Sequence, residues 1–391
     1  MPRGRFGFHR LLEWPVQPRR RTKPRRSGSR QFRQPDFQRF VGRRRSRSNR
    51  SEVDLRFTSR VKTGERVHGG WAPERSLDSV VACHAIAELG RNLARAGFIN
   101  RFGRLQIDDE HDAALAELAL GRCVDVSIAA HWLGGPEPLL ALLQTGLATI
   151  TEESRFSLSF EVLSDGKAMA LLPFLDSSTE VPVDSVYAGT DTWLLRDQAW
   201  KYGLQGKRAI DLGTGTGLVA AFLTSRFESV VATDINQRAA RTAQLGRELL
   251  PESAKSRMHV VTNDVAAGLR PGTFDFVCVN APWVPAHRAN GRIYSQGGET
   301  GFELPRRFIL EGTELLAPGG IFIALCAELS FTDNSNPLRE LLADLDSDGF
   351  VTQIDPTPVT HPFFAATEAT SETSPDLQSA RHATVVVQRK Q

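Results

Sequence analysis

Three glycines in the stretch AIDLGTGTG, residues 209–217, have the spacing of a turn that could hold a ligand. Apolar residues precede them, and Gly213, Gly215 and Gly217 would let the backbone turn sharply and approach a bound molecule with no Cβ in the way. The G-x-G-x-G spacing after Asp211 differs from the G-x-G-x-x-G turn of dinucleotide-binding proteins. This difference favours S-adenosylmethionine (SAM), whose ammonium group Asp211 could hold. A tight turn with no ligand is the alternative.

A carboxylate, Asp234, ends the next apolar stretch, VVATD, near the spacing expected for an acidic residue that binds ribose hydroxyls. Its alternative role is the N-cap of the following helix. Ile235 and Asn236 are expected to lie against the adenine and the sugar. Asn263 and Asp264 are placed to bind the adenine amino group, although a loop Asx-turn explains them as well. The remaining predicted contact is Thr214 in the glycine turn.

The tetrad in VNAPW indicates the reaction type. A planar NH2 group is a poor nucleophile, so an enzyme must concentrate charge on its nitrogen. The Asn280 side-chain oxygen and the Ala281 carbonyl could accept both N–H bonds, Pro282 would stiffen the turn, and Trp283 could stack on the planar group. Alignment would supply most of the acceleration, so no metal or general base is expected. The alternative is a strand-end turn with a buried tryptophan.

Charge divides the chain into a basic arm and an acidic body. Residues 1–50 hold 17 Lys/Arg and 2 Asp/Glu, and subtraction from totals of 48 and 45 leaves 31 and 43 for the rest. The arm has no apolar periodicity, so residues 1–75 are predicted to be disordered. It could contact nucleic acid, act as an organellar address, or result from a wrongly assigned start codon.

The bulk composition indicates a soluble cytoplasmic protein. No apolar run is long enough to cross a bilayer, so no membrane contact is expected. The cysteines have unrelated spacings, which makes a disulfide framework or a zinc site improbable and suits a reducing compartment. They are Cys83, Cys123, Cys278 and Cys326.

Apolar spacing predicts a helical, winged-helix-like domain over residues 76–180, used for substrate binding or dimerisation. Helices are predicted over 76–103, 109–120 and 136–143, followed by a hairpin around Asp165-Gly166. Residues 136–147, the candidate recognition helix, contain no basic residue, which disfavours DNA binding by this domain.

Strands and helices then alternate over 181–391, which predicts an α/β catalytic domain with a doubly wound, seven-stranded, Rossmann-like sheet. A loop without helical pattern precedes the last strand, so that strand is expected to return antiparallel. The predicted strands are 207–212, 229–234, 257–262, 274–280, 320–326, 350–355 and 382–388.

With these motifs, the chain resembles class I SAM-dependent methyltransferases over roughly 183–330, and within them the branch that methylates amines and amides. That branch includes the HemK-like glutamine methyltransferases, the N6-adenine enzymes and the rRNA guanine-N2 enzymes. VYAGTDTWLL, residues 186–195, is similar to a segment in which an Asp-Thr pair borders the cofactor, here Asp191 and Thr192. GGETGFELPRRFI resembles a second family segment, with Glu299 where Asp is more usual. Ala281 replaces the first proline of the usual Asn-Pro-Pro-aromatic tetrad.

The resemblance implies an N-methyltransferase acting on a macromolecule, with a protein glutamine slightly ahead of an RNA or DNA base. A SAM-binding regulator without turnover and an NAD-dependent oxidoreductase are the alternatives. The front domain is similar to that of uncharacterised bacterial methyltransferases, which leaves the acceptor open. The sequence does not predict an oligomeric state.

Overall fold

The computed structural model describes residues 79–101, 104–107, 112–151, 153–174, 182–202, 205–356 and 377–391. The predicted basic arm, residues 1–75, lies outside the described residues. No helix in the described ranges is long and apolar enough to cross a membrane.

The N-terminal part contains four helices and seven short strands among its described residues. In chain order they are α1 (Val80–Arg95), β1 (Ile99–Arg101), β2 (Arg104–Gln106), α2 (Ala113–Ala119), β3 (Val124–Asp125), α3 (Val126–Leu133), α4 (Pro136–Gln144), β4 (Ala148–Ile150), β5 (Arg155–Leu158), β6 (Phe160–Asp165) and β7 (Met169–Pro173).

The elements from α2 to β5 have the topology of a winged helix, as predicted. Strands β3, β5 and β4 form an antiparallel sheet in that order, beside helices α2, α3 and α4. The predicted hairpin around Asp165-Gly166 is confirmed, but it lies in a separate sheet from β3, β5 and β4, and FSLSFEV does not form one strand. Ser159 separates β5 from β6, and the turn at Asp165-Gly166 joins β6 to β7 in a second sheet of order β2-β1-β6-β7.

One helix end and one additional helix also differ from the prediction. The first helix ends at Arg95 rather than 103, because Gly97 adopts φ +61° and the chain continues into β1. Helix α3 was not predicted, since VSIAAHWL is apolar on nearly all sides and has no clear helical period. Gly134, at φ +87°, ends it.

The C-terminal part contains the larger sheet and its covering helices. Its elements are α5 (Thr190–Lys201), β8 (Gly206–Leu212), α6 (Leu218–Leu223), β9 (Phe227–Asp234), α7 (Gln237–Gly246), α8 (Glu252–Lys255), β10 (Met258–Thr262), β11 (Phe274–Asn280), α9 (Glu303–Glu314), β12 (Leu316–Phe331), α10 (Pro337–Ser347), β13 (Phe350–Pro356) and β14 (Leu377–Arg389).

Seven strands form one sheet in the order β10-β9-β8-β11-β12-β14-β13. The first five are parallel, and β14 runs antiparallel to both of its neighbours, so the predicted doubly wound sheet and antiparallel return are confirmed. The chain proceeds outward from β8 in one direction and from β11 in the other. A crevice therefore opens at the carboxyl ends of these two strands, where such sheets bind ligands.

The two parts pack against each other through a shared hydrophobic cluster. Leu89 of α1, Leu171 of β7 and Phe222 of α6 are all buried in it. Gly90 lies so close to the Leu249 carbonyl that an added Cβ would overlap it. The boundary near residue 180 stays a prediction.

Candidate active site

The glycine turn lies between β8 and α6 with all three glycines in the left-handed region. Gly213, Gly215 and Gly217 have φ values of +65°, +56° and +79°, where a Cβ costs about 1–2 kcal/mol. A Cβ on Gly217 would also lie 2.9 Å from the Ala243 side chain. Both the backbone and its surroundings therefore require glycine, as predicted.

Asp211 is buried below this turn and binds the turn itself. Its Oδ2 accepts hydrogen bonds from Thr214 Oγ1 at 2.6 Å and from the Ala220 N–H at 3.2 Å. The Cys278 thiol lies 3.6 Å from Oδ1. Burial raises the pKa of Asp211 to about 6, and burial followed by the nearby Asp211 raises the pKa of Cys278. Asp211 thus holds the turn in shape, and its contact with a cofactor ammonium stays a prediction.

Asp234 ends β9 beside the glycine turn. Its Oδ2 accepts a 2.9 Å hydrogen bond from the Gly215 N–H, and its Oδ1 accepts one of 2.9 Å from the Asn236 N–H. Burial raises its pKa to about 6. The N-cap of α7 is Asn236, which accepts from the Arg238 N–H at 3.0 Å. Asp234 therefore does not cap the helix, which removes the alternative to its predicted ribose role.

Residues 182–189 cross over the turn. Asn236 Nδ2 donates to the Asp184 carbonyl at 2.8 Å, which ties this segment to the start of α7, and the contact of Asn236 with a ligand stays a prediction. The Tyr187 carbonyl would lie 3.2 Å from a Cβ on Gly215. Ile235 is 60% exposed and can cover an adenine ring.

Tyr187 stacks on Tyr294, with ring centroids 5.0 Å apart and planes 7° from parallel. Burial, followed by the charge of Asp191, raises the Tyr187 pKa above its usual value. The pair brings residues 182–189 together with the loop after β11. Sequence reasoning missed both tyrosines, because no local spacing links them.

Asn263 and Asp264 follow β10 and have protein partners. Asn263 Nδ2 donates to the Val265 carbonyl at 3.0 Å, which is a local loop contact. Asp264 accepts two hydrogen bonds from Arg307 at 2.8 and 3.0 Å, and Arg307 also donates to Glu311 at 2.6 Å. Arg307 was not identified from the sequence, and a role for this pair in adenine binding stays a prediction.

Asn280 ends β11 and binds Asp191 in the first turn of α5. Its Nδ2 donates to Asp191 Oδ2 at 3.0 Å, while Asp191 Oδ1 accepts from the Thr192 N–H at 2.9 Å. Thr192 Oγ1 accepts from the Gly189 N–H at 3.2 Å, which completes the helix start. Within the described ranges, the Asn280 Oδ1 atom is buried and has no hydrogen-bond partner. The site therefore contains an oriented acceptor that the protein itself leaves unused.

The rest of the tetrad packs inside the protein. The Ala281 N–H donates to the Leu325 carbonyl at 3.0 Å, which fixes the end of β11 to β12. Trp283 is only 5% exposed, and its ring lies 5.9 Å from that of His382. A Cβ on Gly297 would lie 2.6 Å from the Trp283 Cα, so the GGETG loop packs directly on the tetrad. Stacking of Trp283 on a substrate stays a prediction.

Comparison with known proteins identifies the domain. The family described as "Methyltransferase small domain" matches residues 189–342. The release factor glutamine methyltransferase of Koribacter versatilis is 29% identical over 149 residues, which are 34% of this chain and 50% of the relative. Methyltransferase HEMK2 of Mus musculus is 34% identical over 148 residues, which are 34% of this chain and 66% of the relative.

A third relative modifies RNA. The tRNA1(Val) (adenine(37)-N6)-methyltransferase of Pasteurella multocida is 36% identical over 102 residues, 25% of this chain and 41% of the relative. The chain thus spans about half the length of the curated relatives it matches. Among solved structures, the E. cuniculi Mtq2–Trm112 complex, described as responsible for methylation of the eRF1 translation termination factor, gives a TM-score of 0.36 at 23% identity. That match covers 53% of this chain and 99% of the other.

Proposed function

Residues 189–342 form a HemK-like, class I methyltransferase domain that uses SAM, and from this premise we propose that the chain methylates the planar NH2 of a protein glutamine. The observation that carries the proposal is the buried Asn280 Oδ1 atom, which has no hydrogen-bond partner among the described residues. An unsatisfied buried acceptor costs about 1–3 kcal/mol. A substrate N–H that reaches this atom would recover that cost.

The residues at the carboxyl ends of β8 and β9 fit SAM. The three glycines of the turn have no Cβ that would block a ligand, and the Asp234 carboxylate at the end of β9 is suited to ribose hydroxyls. Ile235 offers an exposed apolar surface to an adenine ring. When bound, SAM supplies an electrophilic methyl group on a sulfonium sulfur.

The chain's own residues would prepare the acceptor nitrogen. Asp191 holds the Asn280 amide with its nitrogen engaged, so that its oxygen faces the incoming N–H. Accepting N–H bonds at Oδ1 and at the Ala281 carbonyl draws electron density onto the nitrogen and favours tetrahedral geometry. Preorganisation matters here because these acceptors do not have to reorient during the reaction.

A glutamine amide is favoured over an adenine amine on two grounds. Relatives of this chain are named as glutamine methyltransferases of a release factor and of ribosomal protein uL3, although an adenine methyltransferase is also among the matches. Trp283, the residue that would stack on a base, is almost completely buried. An adenine acceptor is the second candidate, since both groups present a planar NH2 to the same oxygen.

Transfer of label from tritiated SAM by the full chain tests the proposal. Protein and RNA fractions of a strain that lacks the protein would serve as substrates. Enzymatic digestion, which preserves the side-chain amide, followed by chromatography would distinguish N5-methylglutamine from N6-methyladenine. We expect methylglutamine from the wild type and almost none from Asn280→Ala. Label in methyladenine alone would support the second candidate, and equal transfer by Asn280→Ala would refute both.

A further inference from the structure

A second polar site lies next to the catalytic tetrad, where β12 and β14 extend beyond β11. Asn280 is in register with Leu325 of β12, and Glu328 follows three positions later. Glu328 pairs with Arg381, and Ala327 pairs with His382, whose ring lies 5.9 Å from Trp283. The site is therefore on the same edge of the sheet as the candidate catalytic residues.

One buried carboxylate fixes two arginines in this site. The Glu328 side chain is 2% exposed and accepts from Arg339 Nε at 2.7 Å and Arg381 Nε at 2.5 Å. Asn336 Nδ2 donates to it at 3.1 Å. Burial raises the Glu328 pKa, but the hydrogen bonds from Arg381 and Arg339 outweigh burial and hold the pKa below its usual value. The ionised carboxylate accepts from three side-chain donors, two of them on the arginines, so we assign it the role of positioning these arginines.

The two arginines keep donors for another group. Their side chains are 56% and 61% exposed. In the part of the chain that the structure describes, only Nε of Arg339 and of Arg381 makes a hydrogen bond, and the terminal nitrogens make none. Two guanidinium charges against one carboxylate leave an excess of one positive charge. Paired guanidinium groups with free terminal nitrogens match the geometry of a carboxylate.

A cavity of about 140 Å³ lies between these side chains. Its lining residues are Glu328, Arg339, Ile354, Arg381, His382 and Ala383. Small-molecule sites usually measure about 300–1,000 Å³, so this cavity suits a single side chain better than a nucleotide. Residues 51–391 carry 43 acidic against 31 basic residues, which opposes the approach of a polyanion more than that of one carboxylate.

We propose that Arg339 and Arg381 bind the carboxylate of an Asp or Glu side chain that neighbours the glutamine to be methylated. The inference rests on the proposed function, since it concerns the protein that carries the methylated glutamine. It states that this protein has an acidic residue at a fixed distance in sequence from that glutamine. The arginines would determine specificity without touching the reacting atoms. Glu328 would act through them as a positioning residue.

Peptides with one central glutamine test this inference with the full chain. In each peptide, a single Glu would occupy one of the four positions before or the four positions after the glutamine. A peptide with Ala at all of these positions is the reference. A charge-assisted contact predicts that Glu at one position lowers KM by about tenfold with little change in kcat. Arg339→Gln and Arg381→Gln should each remove this preference. Arg208→Gln, which changes an exposed arginine near the amino-terminal end of β8, should retain it.

Fluorescence anisotropy of the same peptides separates binding from turnover. If no peptide or protein takes up label but the Glu peptide still binds in an Arg381-dependent way, the proposed function fails, and of this inference only carboxylate binding by the two arginines remains. A wild type without positional preference in either measurement overturns the inference, as do arginine variants that keep it. Arginine-dependent binding of RNA with no binding of Glu peptides also overturns it, because the site would then hold phosphate.

Discussion

Asn280 and Asp191 are joined by a 3.0 Å hydrogen bond that connects the end of β11 to the first turn of α5. The bond assigns the two ends of the Asn280 amide, since the nitrogen is held by a carboxylate and only the oxygen remains for a substrate. If the Asn280 amide were free to rotate, it would turn its NH2 group toward the substrate about half of the time. That NH2 group would repel the NH2 group of the substrate, because both are hydrogen-bond donors. We therefore expect Asp191 to act on catalysis through Asn280.

Loss of either partner should lower kcat. Asn280→Ala removes an oriented acceptor, for which a loss of about 10²-fold or more is expected. Asp191→Ala leaves the acceptor in place but free to turn, and should cost about 10²-fold. Asp197→Ala, on the same helix and 43% exposed, is the matched control and should leave kcat unchanged. Full activity of Asp191→Ala in steady-state label transfer would contradict this role.

The affinity for SAM should depend on the ionisation of Asp234. Burial raises its pKa to about 6, so the carboxyl group is protonated below that pH and loses acceptor capacity for ribose hydroxyls. We expect wild-type binding to tighten as the pH rises through about 6. Asp234→Asn should bind more weakly at neutral pH, and the ratio of the two dissociation constants should grow over the same interval. Calorimetric titration at several pH values measures this ratio, and a constant ratio would be incompatible with the ribose role.

Gly215 should tolerate no side chain. Its φ of +56° makes alanine unfavourable by about 1–2 kcal/mol. A Cβ would also lie 3.2 Å from the Tyr187 carbonyl and push residues 182–189 away from the turn. Gly215→Ala should therefore lose stability and bind SAM about tenfold or more weakly.

Gly146→Ala is the matched control for strain alone. Gly146 has φ +77°, and a Cβ there would have no neighbour within 4 Å. Urea unfolding should show a loss of stability in both variants that is larger for Gly215→Ala, while calorimetry should show weaker SAM binding only for Gly215→Ala. Equal SAM affinity in the two variants would mean that the turn does not face the cofactor.

The sheet could be predicted because its signals are local. Apolar stretches such as VVATD and FDFVCVN indicate buried strands. The glycines before α6 indicate the turn that follows β8. The helix α3 and the division of FSLSFEV between two sheets were missed, because packing partners rather than local periodicity determine them.

The residue types of the site could also be predicted, but their partners could not. Three predicted site residues lie at or near the ends of predicted strands, namely Asp211, Asn236 and Asp264. The side chain of each makes hydrogen bonds with other groups of the protein. Their partners come from distant segments, as Arg307 does for Asp264. The Asp191–Asn280 bond and the Tyr187–Tyr294 stack arise in the same way from the meeting of α5 and the loop after β11.

Ala281 stands where the tetrad that this chain resembles has its first proline, and the structure gives a reason to keep the alanine. Its N–H donates a 3.0 Å hydrogen bond to the Leu325 carbonyl, which a proline could not make. Ala281→Pro should therefore lose about 1–2 kcal/mol of stability, since a buried carbonyl loses its donor. It should keep kcat, because the residue 281 carbonyl and a stiff turn remain.

Ala281→Gly separates the two effects, since glycine retains the N–H but loosens the turn. We expect it to keep more of the β11–β12 attachment than proline does and to lower kcat more, because Asn280 is then less well oriented. Urea unfolding and label transfer on the two variants give both quantities. If Ala281→Pro instead raised both stability and kcat, the hydrogen bond to the Leu325 carbonyl would not contribute to stability. The stiffness of the turn alone would then determine the effect of substitutions at residue 281.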